Sequence, residues 1–294
     1  MFQVHYQKKP EYCPEAMMTD HAERLANFIL DHPQLVVLTG AGVSTDSGIP
    51  AYRDEKGNWQ HSAPVQHKEY MESHYARQRY WARSLIGWPL MRDAKPSAAH
   101  FALSKLESLG YIKLLITQNV DRLHQYSGSK NVLDLHGRSD RVKCMTCAAD
   151  YDRREIHDLT AKANPQFKLV TASPRPDGDA DLESEAFNDF TVLDCKVCGG
   201  ILKPDVVYFG DNVPKESVFS ALDVLQEADA LLTVGTSLMV YSGYRFCKKA
   251  HEWNKPICAI NRGVTRADDL LALKLDATIA DTLTTAVEII ENRS

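Results

Sequence analysis

Four of the seven cysteines fall into two pairs, Cys144-Met-Thr-Cys147 and Cys195-Lys-Val-Cys198. A CxxC turn lets two thiolates share one tetrahedral ion at about 2.3 Å per bond. Two such turns supply four sulfur ligands with no open position, which is the set for a single structural Zn2+. Gly199 and Gly200, directly after the second pair, suit the tight turn of a zinc knuckle. Two disulfides or a redox pair would use the same spacing, but an intracellular chain favours metal. Cys247 and Cys258 lie in apolar patterns and read as core thiols, and Cys13 belongs to neither set.

A second chemical signal is the glycine turn TGAGVSTDSG that begins at Thr39. Gly40 and Gly42 allow a sharp bend close to a pyrophosphate, with N–H groups at the next helix start available to hold it. The third glycine of a dehydrogenase fingerprint is replaced by Thr45, and no acidic residue ends a second strand where a dehydrogenase holds its ribose. Alone, the turn also fits a ligand-free bend. Three more polar clusters follow apolar runs: Gln118, Asn119 and Asp121; Gly235, Thr236 and Ser237; Asn261 and Arg262. Polar residues at the carboxyl ends of several parallel strands are where such sheets bind ligands.

The elements that must carry these residues follow from the apolar pattern. Gln34 to Thr39, Lys113 to Thr117, Ala230 to Val234 and Pro256 to Ile260 are continuous apolar runs, as in strands buried on both faces. Asp276 to Ala280 reads as a shorter strand. Helices are expected over Asp20–His32, with Asp20 and Glu23 as a capping box, Ser97–Leu109, Ser242–Trp253 and Thr282–Glu291. This alternation predicts an α/β fold, a Rossmann-type doubly wound parallel sheet, with a smaller zinc-binding domain interrupting it. The expected division is 1–54, 97–137 and 203–294 for the nucleotide domain, 55–96 for a cofactor loop and helical module, and 138–202 for the zinc module. Within the last, the stretch Ser173–Asp189, rich in Pro, Asp and Glu, reads as a long loop.

Composition excludes several classes. A net charge of −5 gives no support for nucleic acid as the main partner. No apolar run nears the roughly 20 residues of a membrane span. The first residues lack an apolar signal core and contain acids, unlike a transit peptide. The expectation is a soluble, cytoplasmic, bacterial-type protein without nucleic-acid or membrane partners; the sequence leaves its oligomeric state open.

Taken in order, GAGVSTDSGIPAYR, TQNVD, LHG, the two CxxC pairs, KPDVVYFGD, VGTSLMV and Ile260-Asn261 resemble the sirtuin family over about Leu25 to Leu283. RQRYWAR, RPDGD, VYSGYRF and TRADDL resemble its class II branch, which includes the mitochondrial sirtuin-4 type of animals. The resemblance implies an NAD-dependent protein-lysine deacylase, with NAD as co-substrate and acyl-lysine proteins as partners. It implies that Gly40, Ala41, Gly42 and Ser44 surround the phosphates. Tyr52 and Arg53 would lie on a loop over the nicotinamide, and Gln118, Asn119 and Asp121 would line its pocket. Gly235, Thr236, Ser237, Asn261, Arg262, Gly263 and Ile279 would complete the ribose and adenine side.

By the same resemblance His136, in LHG, is the general base, acting with Asn119 and Asp121. Imidazole suits the task because its ordinary pKa of about 6.5 is near working pH. The acyl oxygen would attack C1′ of the nicotinamide ribose, nicotinamide would leave, and a sugar hydroxyl would then need a base. The peptide would bind as an added strand between Val206, Val207, Phe209 and Gly210 on one side and Leu238 and Val240 on the other. Tyr80 and Arg83 resemble a pair that reads carboxyl-ended acyl groups; the same residues also fit the solvated face of a surface helix. Mono-ADP-ribosyl transfer to protein is the alternative activity of such a chain. A dehydrogenase and a non-catalytic NAD or zinc module fit the residues less well.

Overall fold

A computed structural model describes residues 14–60, 64–169 and 187–293. Its larger part is a six-stranded sheet in the order β3-β2-β1-β7-β8-β9, parallel throughout. Here β1 is Leu35–Thr39, β2 Ile112–Thr117, β3 Val132–Asp134, β7 Ala230–Val234, β8 Ile257–Ile260 and β9 Leu273–Leu275. Every residue of β1, β7 and β8 is buried, so their sequences carry no polar alternation.

Helices α1 (Pro14–Asp31), α4 (Ala98–Ser108) and α9 (Ile279–Arg293) cover one face. Leu25, Ile29, Leu103, Leu106, Leu283 and Ile290 join Leu35, Val37 and Leu232 in its core. Helices α7 (Lys215–Glu227) and α8 (Tyr241–Glu252) cover the other face through Ala221, Leu225, Phe246 and Ala250. Strand order reverses between β1 and β7, which opens a crevice at their carboxyl ends.

The smaller part contains an antiparallel sheet, β5-β4-β6, made of β4 (Gly137–Cys144), β5 (Asp150–Asp152) and β6 (Leu202–Val206). It also holds α6 (Arg153–Ala163) and, from earlier in the chain, α2 (His67–Glu72) and α3 (His74–Asp93). Tyr70, Tyr80 and Trp81 share one apolar cluster with Val142, Ile156, Leu202 and Tyr208. The short helix α5 (Leu123–Tyr126) follows β2.

The structure shifts some expected elements. The first helix starts at Pro14, so Asp20 lies inside it rather than capping it; proline at a first helical position costs no hydrogen bond. Asp276–Ala280 is not a strand. Pairing with β8 falls on Leu273–Leu275, and Ile279 and Ala280 open α9. Most of the expected 173–189 loop lies outside the described residues.

Candidate active site

The crevice at the strand ends is a cleft of about 740 Å³. On its floor two turns press together. A Cβ on Gly40 would lie 2.7 Å from Thr236 Cβ, and one on Gly42 would lie 2.8 Å from Gly235 Cα. Gly235 has φ +61°, and a Cβ on it would lie 2.6 Å from Val43 N. The glycines are therefore required by the contact between the β1 and β7 turns. Their N–H groups are used in that contact: Gly40 donates to Val234 O at 3.1 Å and Gly42 to Gly235 O at 2.9 Å. The expectation that these two glycines serve mainly to approach a phosphate is thus modified: they also lock the switch point.

The end of β2 adds the polar groups. Asn119 Nδ2 donates to Gly40 O at 3.0 Å and to Ser44 Oγ at 3.1 Å. Ser44 Oγ donates to Asp121 Oδ2 at 2.7 Å, and Leu123 N donates to its other oxygen at 2.9 Å. Burial pushes the Asp121 carboxyl above the usual range, and those two donors oppose the shift. Gln118 Nε2 donates to Thr39 O at 3.2 Å and Thr236 Oγ1 at 2.9 Å, tying three strand ends into one rim.

His136 stands between β3 and β4 and lines the cleft. Its Nδ1 lies 3.0 Å from Gln118 O, and its Nε2 lies 2.7 Å from Ser242 Oγ. A carbonyl oxygen only accepts, so Nδ1 carries the proton, and Nε2 of the neutral ring accepts from the serine hydroxyl. Burial lowers the His136 pKa and nearby Arg245 adds to this, against the Gln118 bond. The imidazole is a neutral base with a defined tautomer. Gly137 allows its position: φ is +80°, and a Cβ would lie 2.1 Å from Asp205 O. The His136 carbonyl accepts from Val207 N at 2.8 Å, which links the ring to the chain leaving β6.

Val206, Val207 and Phe209 line one wall and Leu238, Met239 and Val240 the other. A loop at residues 51–60 closes the rim. Arg53 donates to Gly57 O at 2.7 Å and stacks 4.0 Å over Trp59, whose ring meets Phe209 edge-on at 5.6 Å. Tyr52, Ser237, Asn261, Arg262 and Ile279 also line the cleft, as do Ala41 and Ser44. Sequence reasoning missed Trp59, Ala277 and Thr278, which sit in loops without periodicity. The aromatic spacing of Tyr52 and Trp59 around Arg53 was the available signal for the loop.

Some expected residues fall elsewhere. Gly210 and Gly263 are not on the cleft wall; Gly263 lies under the 51–60 loop, where a Cβ would be 2.0 Å from Glu55 O. Tyr80 and Arg83 do not line the cleft either, and the solvated-face reading is corrected: each is 7% exposed. Tyr80 packs on Tyr70 at 5.5 Å and Tyr208 at 5.5 Å, beside the cleft residues Val207 and Phe209 in sequence. Because α3 is covered from several sides, its sequence lacks a one-sided apolar stripe.

The four paired cysteines converge at the far end of the small sheet. Their sulfurs lie within 4.8 Å of one another. Cys144–Cys198 is 3.5 Å and Cys147–Cys195 is 3.7 Å. Four sulfurs at about 2.3 Å from one ion stand about 3.8 Å apart, whereas a disulfide needs about 2.05 Å. The set therefore fits a closed tetrahedral zinc site. Thr146 N and Cys147 N point at Cys144 Sγ, and a Cβ on Gly200 would lie 3.0 Å from that sulfur. Tyr151 Oη lies 3.1 Å from Cys195 Sγ. Cys247 and Cys258 are fully buried in the large domain, as the apolar pattern implied.

Against known proteins, the model of the Sir2 family matches residues 40–242. The NAD-dependent protein deacetylase 2 of Bradyrhizobium diazoefficiens is 54% identical over 86% of this chain and 93% of its own length. The NAD-dependent protein deacylase Sirt4 of Drosophila melanogaster is 41% identical over 94% of this chain and 90% of its own. A solved Sir2–p53 peptide–NAD+ complex superposes with TM-score 0.71 at 27% identity, covering 92% of this chain and 98% of that one.

Proposed function

This chain belongs to the Sir2 family of NAD-dependent protein-lysine deacylases, and we propose that its cleft performs that reaction with His136 as the general base. The observation that carries the assignment is the imidazole on the cleft wall with Nδ1 3.0 Å from Gln118 O, a contact that requires the proton on Nδ1 and leaves Nε2 as the basic nitrogen. The cleft volume and the polar strand ends fit a dinucleotide. When bound, NAD supplies an electrophilic sugar carbon with nicotinamide as the leaving group.

The chain's own residues do the rest. Gly40, Ala41, Gly42 and Ser44 bound the phosphate side, and Gly235, Thr236, Ser237, Asn261, Arg262 and Ile279 bound the ribose and adenine side. Asn119 and Asp121, fixed by Ser44 and Gly40, line the nicotinamide pocket. Tyr52, Arg53 and Trp59 shield that end from water. An acyl-lysine peptide lies between Val206, Val207 and Phe209 and the Leu238–Val240 stretch, paired through its backbone. His136 accepts the proton of a sugar hydroxyl at Nε2. Cys144, Cys147, Cys195 and Cys198 would hold a zinc ion with no open position, so it would brace the small domain and leave the chemistry to the cleft.

The class II assignment draws on RQRYWAR, VYSGYRF and TRADDL and on the resemblance to the fly Sirt4 protein. No helix among the described residues is long and apolar enough to cross a membrane. With bacterial relatives over most of the chain, we place it in the cytoplasm.

Product analysis tests the reaction. With NAD and an acetyl-lysine peptide, mass spectrometry should show equal amounts of free-lysine peptide and O-acetyl-ADP-ribose. ADP-ribosylated protein in place of O-acetyl-ADP-ribose would instead establish the transferase activity.

A further inference from the structure

The hydroxyl 2.7 Å from His136 Nε2 belongs to Ser242, a residue 9% exposed in the first turn of α8. The fit around it is close. A Cβ on the next residue, Gly243, would lie 2.6 Å from Gln118 Oε1, so α8 packs directly against the Gln118 side chain here. Gln118 in turn supplies the carbonyl that accepts from His136 Nδ1. The imidazole is thus held at both nitrogens, by the backbone of one strand end and by the side chain of a helix start. The Ser242 hydroxyl does not line the cleft, so it acts on the reaction through the ring.

His136 is half-buried, but its two ring nitrogens are both engaged by protein groups, and each contact must serve both protonation states. Gln118 O accepts from Nδ1–H in either state. At Nε2 the requirement reverses: the neutral ring needs a donor there and the protonated ring an acceptor. A hydroxyl can be either, by rotating about its C–O bond.

We propose that Ser242 is the positioning residue of the catalytic base, donating to Nε2 while His136 is neutral and accepting from Nε2–H once the ring has taken the substrate's proton. The inference rests on the base assignment above. In the step it serves, the sugar O–H bond breaks and an N–H bond forms at Nε2. The serine hydroxyl first turns its proton away and yields the single Nε2 lone pair to the sugar hydroxyl; once the deprotonated sugar oxygen has left to attack, the serine oxygen receives the new N–H. Ser242 exchanges no proton with substrate and ends the step neutral. The charged group that bears on the ring is Arg245, also on α8, which disfavours imidazolium. The serine oxygen offsets it.

Ser242→Ala removes both roles, and Ser242→Thr keeps the hydroxyl. The ring is read first without ligand, by titrating the 15N imidazole resonances of His136, identified by their absence in His136→Ala. A charge-assisted bond outweighs a neutral one, so Ser242→Ala should lower the His136 pKa and Ser242→Thr should restore it. Single-turnover reactions with NAD and an acetyl-lysine peptide supply the second reading. Nicotinamide should appear at the parental rate, whereas deacylated peptide should form about 10- to 100-fold more slowly in the alanine variant. The threonine variant should recover to within about 3-fold of the parent.

Unfolding temperature and NAD affinity should stay unchanged throughout. An alanine variant that titrates and deacylates like the parent overturns the proposal. So does an equal slowing of both phases with an unmoved His136 pKa, which marks a packing defect. If His136→Ala itself deacylates normally, the base assignment fails instead, and the titration still reports whether Ser242 engages the ring.

Discussion

The large sheet and the zinc module solve the same problem, holding cleft residues in register, by different means. In the large domain β1, β7 and β8 are buried along their whole length, between helices on both faces. That packing alone fixes where the strands end, so Ser44, Asn119, Asp121 and Thr236 emerge at one edge. The zinc module has one three-residue strand, an eight-residue strand and a five-residue strand. It rests on one cluster shared with α3 and on four converging sulfurs. His136 and Gly137 stand where the two meet: their chain leaves β3 of the large sheet and enters β4, which ends at the ligand Cys144. One domain is held by apolar burial alone, the other by a smaller apolar cluster and by four sulfurs placed to hold a metal ion, and the base depends on both.

The strongest way to separate them is to remove the metal. Structural zinc contributes about 10–16 kcal/mol of apparent free energy to small domains. Cys144→Ser or Cys195→Ser should therefore unfold β4–β6, release the zinc and abolish deacylation. The core amides of β1 and β7 should still resist hydrogen exchange. A zinc-free variant that stays active, or a large sheet that unfolds with the small one, would erase the distinction.

A smaller effect is expected at the junction. Gly137→Ala combines φ +80° with a Cβ 2.1 Å from Asp205 O, which costs more than the roughly 1 kcal/mol of an ordinary glycine replacement. Thermal unfolding should show a drop of several degrees and the deacylation rate should fall with it. An unshifted melt would mean that the β4–β6 register adapts freely.

Acidification should probe the buried histidines, two in the large domain and His157 on α6 of the small one, which burial also holds down at about 4. Burial holds His100 down at about 4 and His124 well below the ordinary value; the two rings meet at a tilt, 4.7 Å between centroids, behind the glycine turn, where His124 bonds Thr39 Oγ1 at 2.9 Å. Both are neutral when folded and take protons on unfolding below about pH 6.5. Their contribution is full above that pH and is lost as pH falls toward 4, by at most about 1.4 kcal/mol per pH unit for each ring. Urea midpoints measured from pH 7 to 4.5 should fall accordingly. His100→Gln, which cannot be protonated in this range, should flatten the curve; an unchanged slope would show that these rings are not its source.

The smallest expected effect concerns Arg83. Buried beside Tyr80 and off the cleft wall, it should lower stability when replaced by Met. The ratio of succinyl- to acetyl-peptide rates should stay constant. A selective loss of succinyl turnover would bring back the carboxylate-reading role.

The two domains also differed in how far they could be read in advance. Continuous apolar runs marked β1, β2, β7 and β8 within a residue or two, because parallel strands covered on both faces leave that pattern. The zinc ligands were legible because chelation fixes their spacing whatever surrounds them. Helix α3 was not, since burial on several sides erases the one-sided period, and β9 was displaced because pairing with β8 selects Leu273–Leu275 over the equally apolar residues that follow. Ser242 was quoted within a motif but given no role: nothing local in Val240-Tyr241-Ser242-Gly243 shows that a ring 106 positions earlier ends 2.7 Å away.

The central claim, that His136 takes the proton, is tested by comparing His136→Ala with the parent in deacylated-peptide formation at saturating NAD and acetyl-peptide. A base contributes about 10²- to 10⁴-fold, so the variant should lose at least about 100-fold while NAD affinity, peptide affinity and unfolding temperature hold. Turnover within a few-fold of the parent would contradict the account.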